Sequence, residues 1–297
     1  MRILFVVNPI AGGKSKDTFL QYLDEYALKY GLDYYLFKTS GEEDAAPFQK
    51  KLDEYQPERV CAIGGDGTVL FVARQLIGSE IPMGIIPFGS ANGMATELGI
   101  DEDPRVALDD FVKSRKIAGL DMIEVNKEYC LHIGDVGINA RVVEDFSKDS
   151  NRGMFTYAKY LFQALQNADQ FSFEIETESS NYKDSGYMLA IANARKYGTG
   201  AILNNKGNPF DGKLELVIGH RKDLESIIYL GLTKFSEEVS MDEYTEIIQC
   251  EKAKIKLDKP QLLQLDGEVI GKTDELNIRI MPGAIRLVTH GENPFID

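Results

Sequence analysis

Residues 64–68 read Gly-Gly-Asp-Gly-Thr. The apolar run Val60–Ile63 leads into them, and apolar residues resume at helical spacing at Val69, Val72, Ala73 and Leu76. Glycines at the end of a buried strand let the backbone adopt positive φ and approach a ligand closely. The N–H groups of such a turn, with a helix N-terminus behind it, form an anion site whose usual guest is phosphate. A carboxylate beside an anion is out of place unless it holds a cation that bridges to the phosphates, as Mg²⁺ does in phosphoryl transfer. The plainer reading makes Asp66 a helix cap. Three glycines around it in one turn favour the ligand.

Two more small-residue turns accompany it. Asn8-Pro9-Ile10-Ala11-Gly12-Gly13-Lys14-Ser15 follows the first apolar run. It ends like a phosphate-binding P-loop, but Asn8 stands where that motif needs its first glycine. Pro87-Phe88-Gly89-Ser90-Ala91-Asn92-Gly93 follows a later run, and its Ser90 could be a helix cap alone. If all three turns follow parallel strands, they open on one crevice, where such sheets bind ligands. Together they suggest a nucleotide.

The elements that must position these turns alternate. Strands are expected at Arg2–Asn8, Tyr34–Phe37, Val60–Ile63 and Gly84–Ile86. Helices are expected at Phe19–Tyr30, with Gly31 as C-terminal cap, at 42–55, and at Val69–Ile77, Ala91–Leu98 and Pro104–Ser114. Alternation at this pace implies a parallel sheet covered on both faces. From Gly119 onward strand-like runs dominate: Met122–Val125, Phe171–Ile175, Tyr187–Ala192, Leu214–Ile218, Ala253–Leu257, Leu262–Leu265, Leu276–Ile280 and Ile285–Thr289. Helices are expected near 154–167 and 223–235, and a polar hairpin loop between 177 and 186.

The bulk numbers bound the rest. A chain of 297 residues, 43% hydrophobic and 27% charged, holds about two domains with real cores. A net charge of −14 argues against nucleic acid and against strong attachment to anionic membranes. No stretch of eighteen apolar residues exists, and the N-terminus lacks the features of a signal peptide. Three scattered cysteines, Cys61, Cys130 and Cys250, read as reduced thiols in a cytoplasmic protein. His132, His220 and His290 show no metal-ligand spacing, which argues against a histidine-rich zinc site.

NPIAGGK, GGDGTV and IPFGSANGMATELGI together resemble the catalytic domain of the diacylglycerol kinase and sphingosine kinase family, in its bacterial soluble lipid kinase form. In the second half, GDVGINARVV, FTYAKYLFQAL, ANARKYGTGAILNNKGNPFDGKLEL and QLLQLDGEVIG follow in the family's order. The resemblance covers nearly the whole chain. It implies an α/β nucleotide-binding N-terminal domain, with a parallel sheet like that of NAD kinases and phosphofructokinases, over residues 1–120. It implies a β-rich, sandwich-like lipid-substrate domain over 121–297, the last residues returning toward the first domain.

The same resemblance implies roles. Asn8, Gly12, Gly13, Thr39, Gly64, Gly65, Asp66, Gly67, Thr68, Ser90 and Asn92 would bind ATP, with Asp66 organising its Mg²⁺. Asp211, with the backbone carbonyls of Asn208 and Lys213, would hold a structural Mg²⁺. Glu268 would be the general base, facing an inter-domain cleft and shielded from bulk solvent. On the residues alone, Asp211 sits in an ordinary Asp-Gly turn. Glu268 is either a solvated turn glutamate or a carboxylate able to take a hydroxyl proton.

The chain departs from the family at Gly93, where an acid is usual, at Thr96, where arginine is usual, and at Asn139, an amide in place of a carboxylate. Glu97 and Asp135 lie near these positions. The expected reaction is transfer of the γ-phosphoryl group of ATP to a diacylglycerol-like or sphingoid-like lipid hydroxyl. The protein would contact a membrane surface peripherally and reversibly, with the apolar stripe of Met154–Leu165 as a candidate docking face. A homodimer is left open. Two alternatives stand beside this: a NAD kinase-like soluble kinase, and a non-catalytic nucleotide-binding regulatory protein.

Overall fold

The computed structural model describes residues 1–9, 16–138, 140, 142, 163–164, 168–197, 201–202, 204–220 and 246–296. The Gly12-Gly13 turn, Asn139, residues 154–162 and 165 of the apolar stripe and the helix expected at 223–235 lie outside the described residues. The chain divides into two compact units, Met1–Leu120 with Gly283–Asp297, and Asp121–Pro282.

In the first unit the chain runs β1 (Arg2–Val7), α1 (Asp17–Tyr30), β2 (Asp33–Lys38), α2 (Ala45–Tyr55), β3 (Arg59–Gly64), α3 (Asp66–Gln75), β4 (Met83–Pro87), α4 (Gly93–Glu97) and α5 (Pro104–Lys113). Strands β2, β1, β3 and β4 lie side by side, all parallel. One face of the sheet, with Ile3, Phe5, Val7, Cys61 and Ile63, packs against Phe19, Leu23 and Tyr26 of α1 and Leu108 and Phe111 of α5. The alternate residues Leu4, Val6, Val60 and Ala62 are buried too, and α3 touches β1, β3 and β4. Burial on both faces is why these strands read as continuous apolar runs.

Helices α1 and α4 start two residues from expectation, and two other starts differ for local reasons. Helix α3 begins at Asp66, three residues early, because extended Gly65 serves as its N-cap. Helix α2 begins at Ala45 because the Asp44 carboxylate accepts the N–H groups of Ser40 and Gly41 and closes a turn there. Pro47 then falls in the first helical turn, where its missing N–H costs nothing.

Strand β5 (Ile117–Val125) leads into the second unit, which holds β6 (Glu128–Cys130), β7 (Ile133–Gly137), β8 (Phe171–Thr177), β9 (Asn181–Gly186), β10 (Met188–Ala192), β11 (Lys196–Tyr197), β12 (Ala201–Ile202), β13 (Leu214–Gly219), β14 (Glu246–Cys250), β15 (Lys252–Leu265) and most of β16 (Glu268–Val288). The described pairings within it are antiparallel. Strand β15 pairs β8 through Ala253–Leu257 and β7 through Leu263–Leu265. Its register against β16 shifts between Lys256 and Gln261, where Pro260 has no N–H for the ladder. Val136, Leu189, Ile191 and Leu216 share one core with Phe171, Phe173, Ile175 and Leu257.

Three expectations are corrected here. The pairs of short strands at 253–265 and 276–289 are each one long strand, because different stretches of each pair with different neighbours: β15 with β8 and then β7, and β16 with β15, β5 and β4. The polar run after Thr177 is a loop only at 178–180. Its remainder is β9, an edge strand whose outward side chains are polar because one face meets water. Strands β6 and β7 had no distinct sequence signal. Among the described residues, no helix is long and apolar enough to cross a membrane.

Candidate functional site

In the first unit the strand ends are in step. Val7 pairs with Ile63, Ile63 with Ile86, and Gly64 with Pro87. The C-terminal ends of β1, β3 and β4 therefore lie along one edge of the sheet. Thr39, just past β2, joins them by donating its N–H to the Val7 carbonyl at 2.9 Å.

The second and third turns touch backbone to backbone. A Cβ on Gly89 would stand 2.4 Å from Gly65 Cα, and one on Gly65 would stand 2.9 Å from Gly89 Cα. The Phe88 N–H donates to the Gly64 carbonyl at 2.8 Å. A Cβ on Gly64 would meet the buried Thr68 hydroxyl at 2.3 Å. These three glycines are needed for close packing. Gly67 is not: it is exposed in the first turn of α3, with nothing within 4 Å of where its Cβ would be.

Asp66 does cap a helix, but not its own. Its carboxylate accepts the N–H of Gly93 at 3.0 Å and of Met94 at 3.1 Å, at the start of α4. Glycine at 93 and the carboxylate at 66 thus meet in space. Asn92, in the left-handed region at φ 51°, accepts the Gly89 N–H at 2.7 Å and donates back to the Gly89 carbonyl at 3.2 Å. Its side chain shapes the third turn, while Ser90 and Ala91 stay exposed. Asn8 is half-buried at the end of β1. Lys16 is buried, its ammonium 5.5 Å from the centre of the Phe88 ring, and burial lowers its pKa from the ordinary value.

This arrangement suits a phosphorylated ligand and a cation. Each Asp66 oxygen accepts one described N–H, and a carboxylate oxygen has two lone pairs. Among the described hydrogen bonds, one lone pair on each oxygen is left to face an ion or its water shell.

The second unit holds the other two sequence motifs. Asp211 is exposed, and its Oδ1 accepts the Lys213 N–H at 3.0 Å. Asn208 caps the same turn, its Oδ1 accepting the Phe210 N–H at 3.1 Å and its carbonyl the Asp211 N–H at 3.3 Å. The buried Asp121 accepts the Gly212 N–H at 2.7 Å. The turn is closed on itself, with oxygen lone pairs to spare for a hard cation. Sequence inspection passed over Glu215, which is buried and accepts from Asn204 Nδ2 at 2.7 Å and Gln249 Nε2 at 2.8 Å. Burial pushes its carboxyl up, against those two hydrogen bonds.

Glu268 begins β16 after a two-residue turn, Asp266-Gly267, with φ of 49° and 84°. Positive φ at both positions is the hairpin geometry that Asp-Gly favours. Asp266 accepts the N–H groups of Leu131 at 2.6 Å, His132 at 2.9 Å and Ile133 at 3.1 Å, and the buried Cys130 thiol at 3.3 Å. Gln264 accepts the Gly267 N–H at 2.8 Å and donates to the buried Asp135 carboxylate. The turn that presents Glu268 is held from both sides. Glu268 itself is exposed, against the expectation that it is shielded from bulk solvent, because the tight turn projects it at a hairpin rim. Asp266, like Glu215, is a residue that sequence reasoning missed. The signal for it was the aspartate two places before Glu268.

The family model described as "Diacylglycerol kinase catalytic domain" matches residues 2–125, and "YegS C-terminal NAD kinase beta sandwich-like domain" matches 134–289. A Staphylococcus aureus (strain Newman) protein named "Putative lipid kinase" is 27% identical over 235 residues, covering 76% of this chain and 75% of that protein. Two Bacillus anthracis str. Sterne structures share the fold over 98% of both chains. One is described as a "putative diacylglycerol kinase", with TM-score 0.80 and 20% identity. The other, described as one of the "diacylglycerol kinases", has TM-score 0.75 and 18% identity. With both halves matched, and with the glycine turns and the β-rich unit in place, the chain belongs to the diacylglycerol and lipid kinase family.

Proposed function

We propose that this protein is an ATP-dependent lipid kinase that transfers the γ-phosphoryl group to the hydroxyl of a diacylglycerol-like or sphingoid-like lipid, meeting it at a membrane surface. The observation that carries this reading is the open space at Gly67, beside two turns locked together by Gly65 and Gly89. A helical glycine with room for a side chain is wasteful for stability. It is useful where a phosphate must approach the backbone.

Asn8, Thr39, Gly64, Gly65, Gly67, Thr68, Ser90 and Asn92 would hold the nucleotide, with Gly12 and Gly13 from the family motif. Asp66 would hold its Mg²⁺ through the lone pairs that Gly93 and Met94 leave. When bound, the ion neutralises charge on the transferring phosphoryl group. Asp211, with the Asn208 and Lys213 carbonyls, would hold a second, structural ion. Glu268 would accept the proton of the attacking hydroxyl, and its position on a braced hairpin limits how far it can stray.

A second reading has one observation in its favour. Residue 93 is glycine, and Asp66 already serves as a cap to α4. A non-catalytic nucleotide-binding protein would look like this. The test is incubation with labelled ATP, Mg²⁺ and a total lipid extract, with products identified by mass spectrometry. A phosphorylated lipid that Glu268→Gln fails to produce supports the kinase reading. ATP binding without turnover on a broad acceptor panel supports the second. Activity confined to NAD or another soluble hydroxyl compound means a soluble kinase.

A further inference from the structure

The second unit carries a cluster that phosphoryl transfer does not use: Asp184 in β9, His220 just after β13, and Glu246 at the start of β14. Their candidate ligand atoms, one imidazole nitrogen and two carboxylate oxygens, all lie within 4.8 Å of one another. Nε2 of His220 is 3.6 Å from Oδ2 of Asp184. That is longer than a hydrogen bond. It falls within the spacing of two ligands on one ion, about 3.3 Å for tetrahedral and about 4.2 Å for opposed positions at bond lengths near 2.1 Å.

Strand register brings the three together from distant parts of the chain. Glu246 lies opposite Ile218 across β13 and β14, two residues before His220. The Tyr187 N–H donates to the Gly219 carbonyl at 3.0 Å, which fixes the β9–β10 corner beside the end of β13. A Cβ on Gly186 would stand 3.2 Å from that same carbonyl, so the corner can approach this closely because residue 186 is glycine. Lys183, next to Asp184 in sequence, pairs with Glu174 at 2.5 Å.

We infer that Asp184, His220 and Glu246 form a binding site for a divalent transition-metal ion of the Zn²⁺ class, which ties the β9–β10 corner to the ends of β13 and β14. An imidazole with two carboxylates is a ligand set for Zn²⁺, Co²⁺ or Mn²⁺, whereas Mg²⁺ and Ca²⁺ take oxygen ligands. Asp184 and His220 are half-buried and Glu246 is exposed, so water completes the shell from the solvent side. The atoms lie within 4.8 Å of one another, so reaching the tetrahedral spacing of about 3.3 Å asks for a shift of at most about 1.5 Å, which the exposed Glu246 side chain can supply.

The test is isothermal titration of the full-length protein with ZnCl₂ alone, with thermal melting at the same concentrations. The wild type should bind Zn²⁺ and melt at a higher temperature with it, by mass action. His220→Ala should lose one bound ion or weaken that site by at least about tenfold. Glu246→Gln, a conservative change on an exposed side chain, should weaken it as well, and it keeps the test decisive if His220→Ala does not fold. An excess of Mg²⁺ should not displace the ion. Absence of Zn²⁺ binding to the wild type overturns the inference. So does equal stoichiometry and affinity in the wild type and both variants, which leaves Asp184 and His220 as an ion pair only.

Discussion

Gly67→Ala separates the needs of the fold from those of a ligand. Gly67 is the second residue of α3, and nothing lies within 4 Å of the added methyl. On folding grounds alanine should therefore gain about 0.5–1 kcal/mol. For a unit of this size that is a rise of about 2–4 °C in melting temperature. If a phosphate packs against the backbone there, the methyl must displace it, at the usual cost of overpacking, about 1–3 kcal/mol. ATP affinity should then fall about 5- to 150-fold. Gly89→Ala is the control. Its Cβ would lie 2.4 Å from Gly65 Cα and 2.7 Å from Asn92 Oδ1. Ordinary contact begins at 3.4 Å, so the turns must part by about 1 Å, and both stability and affinity should drop. Urea titration and calorimetry with Mg²⁺-ATP read the two quantities separately. A Gly67→Ala protein that binds ATP like the wild type would refute the glycine-turn reading. One that is destabilised would refute the open space at that position.

Asp66→Asn should fold with a loss of about 1 kcal/mol, since one oxygen still accepts at the α4 terminus, yet lose most turnover; wild-type turnover and Mg²⁺ dependence in a kinase assay would remove Asp66 from the cation's environment. Asp266→Ala should cost about 3–5 kcal/mol by urea denaturation, because three N–H groups at 131–133 lose a charged acceptor and alanine resists the left-handed backbone, whereas Asp266→Asn should recover part of it. Mg²⁺ added to chelator-treated, metal-free protein should raise the melting temperature of the wild type but not of Asp211→Ala if a structural ion is held there; identical responses leave only the self-closed turn. Burial raises the Glu215 pKa, so its protonated form favours folding: that contribution is full below the unfolded carboxyl's pKa and is lost as pH rises through the folded value. Glu215→Gln should abolish this part of the stability-against-pH curve, and an unchanged curve in denaturation across that range would contradict the assignment.

Local pattern settled much of this protein. The apolar runs before the turns at residues 8, 64 and 87, with helical spacing after them, specified a parallel α/β sheet. Parallel strands then required their turns to share one edge. Asp-Gly at 266–267 likewise implied a hairpin, because few other pairs accept positive φ twice in succession.

Contacts set by register were not legible. That Asp66 caps α4, 27 residues away, follows from the packing of Gly65 on Gly89, and no local preference encodes it. That Asp266 gathers the N–H groups of 131–133 depends on β15 lying beside β7. The seeming gap in β15 at Asp258–Pro260 is bridged because its flanks pair with different neighbours. Asp184, His220 and Glu246 met only when three strand ends were aligned. Spacing along a chain reports which face a residue occupies on its own element. Which distant residue stands opposite is decided by strand order and register, and those are fixed when whole elements bury their apolar faces together.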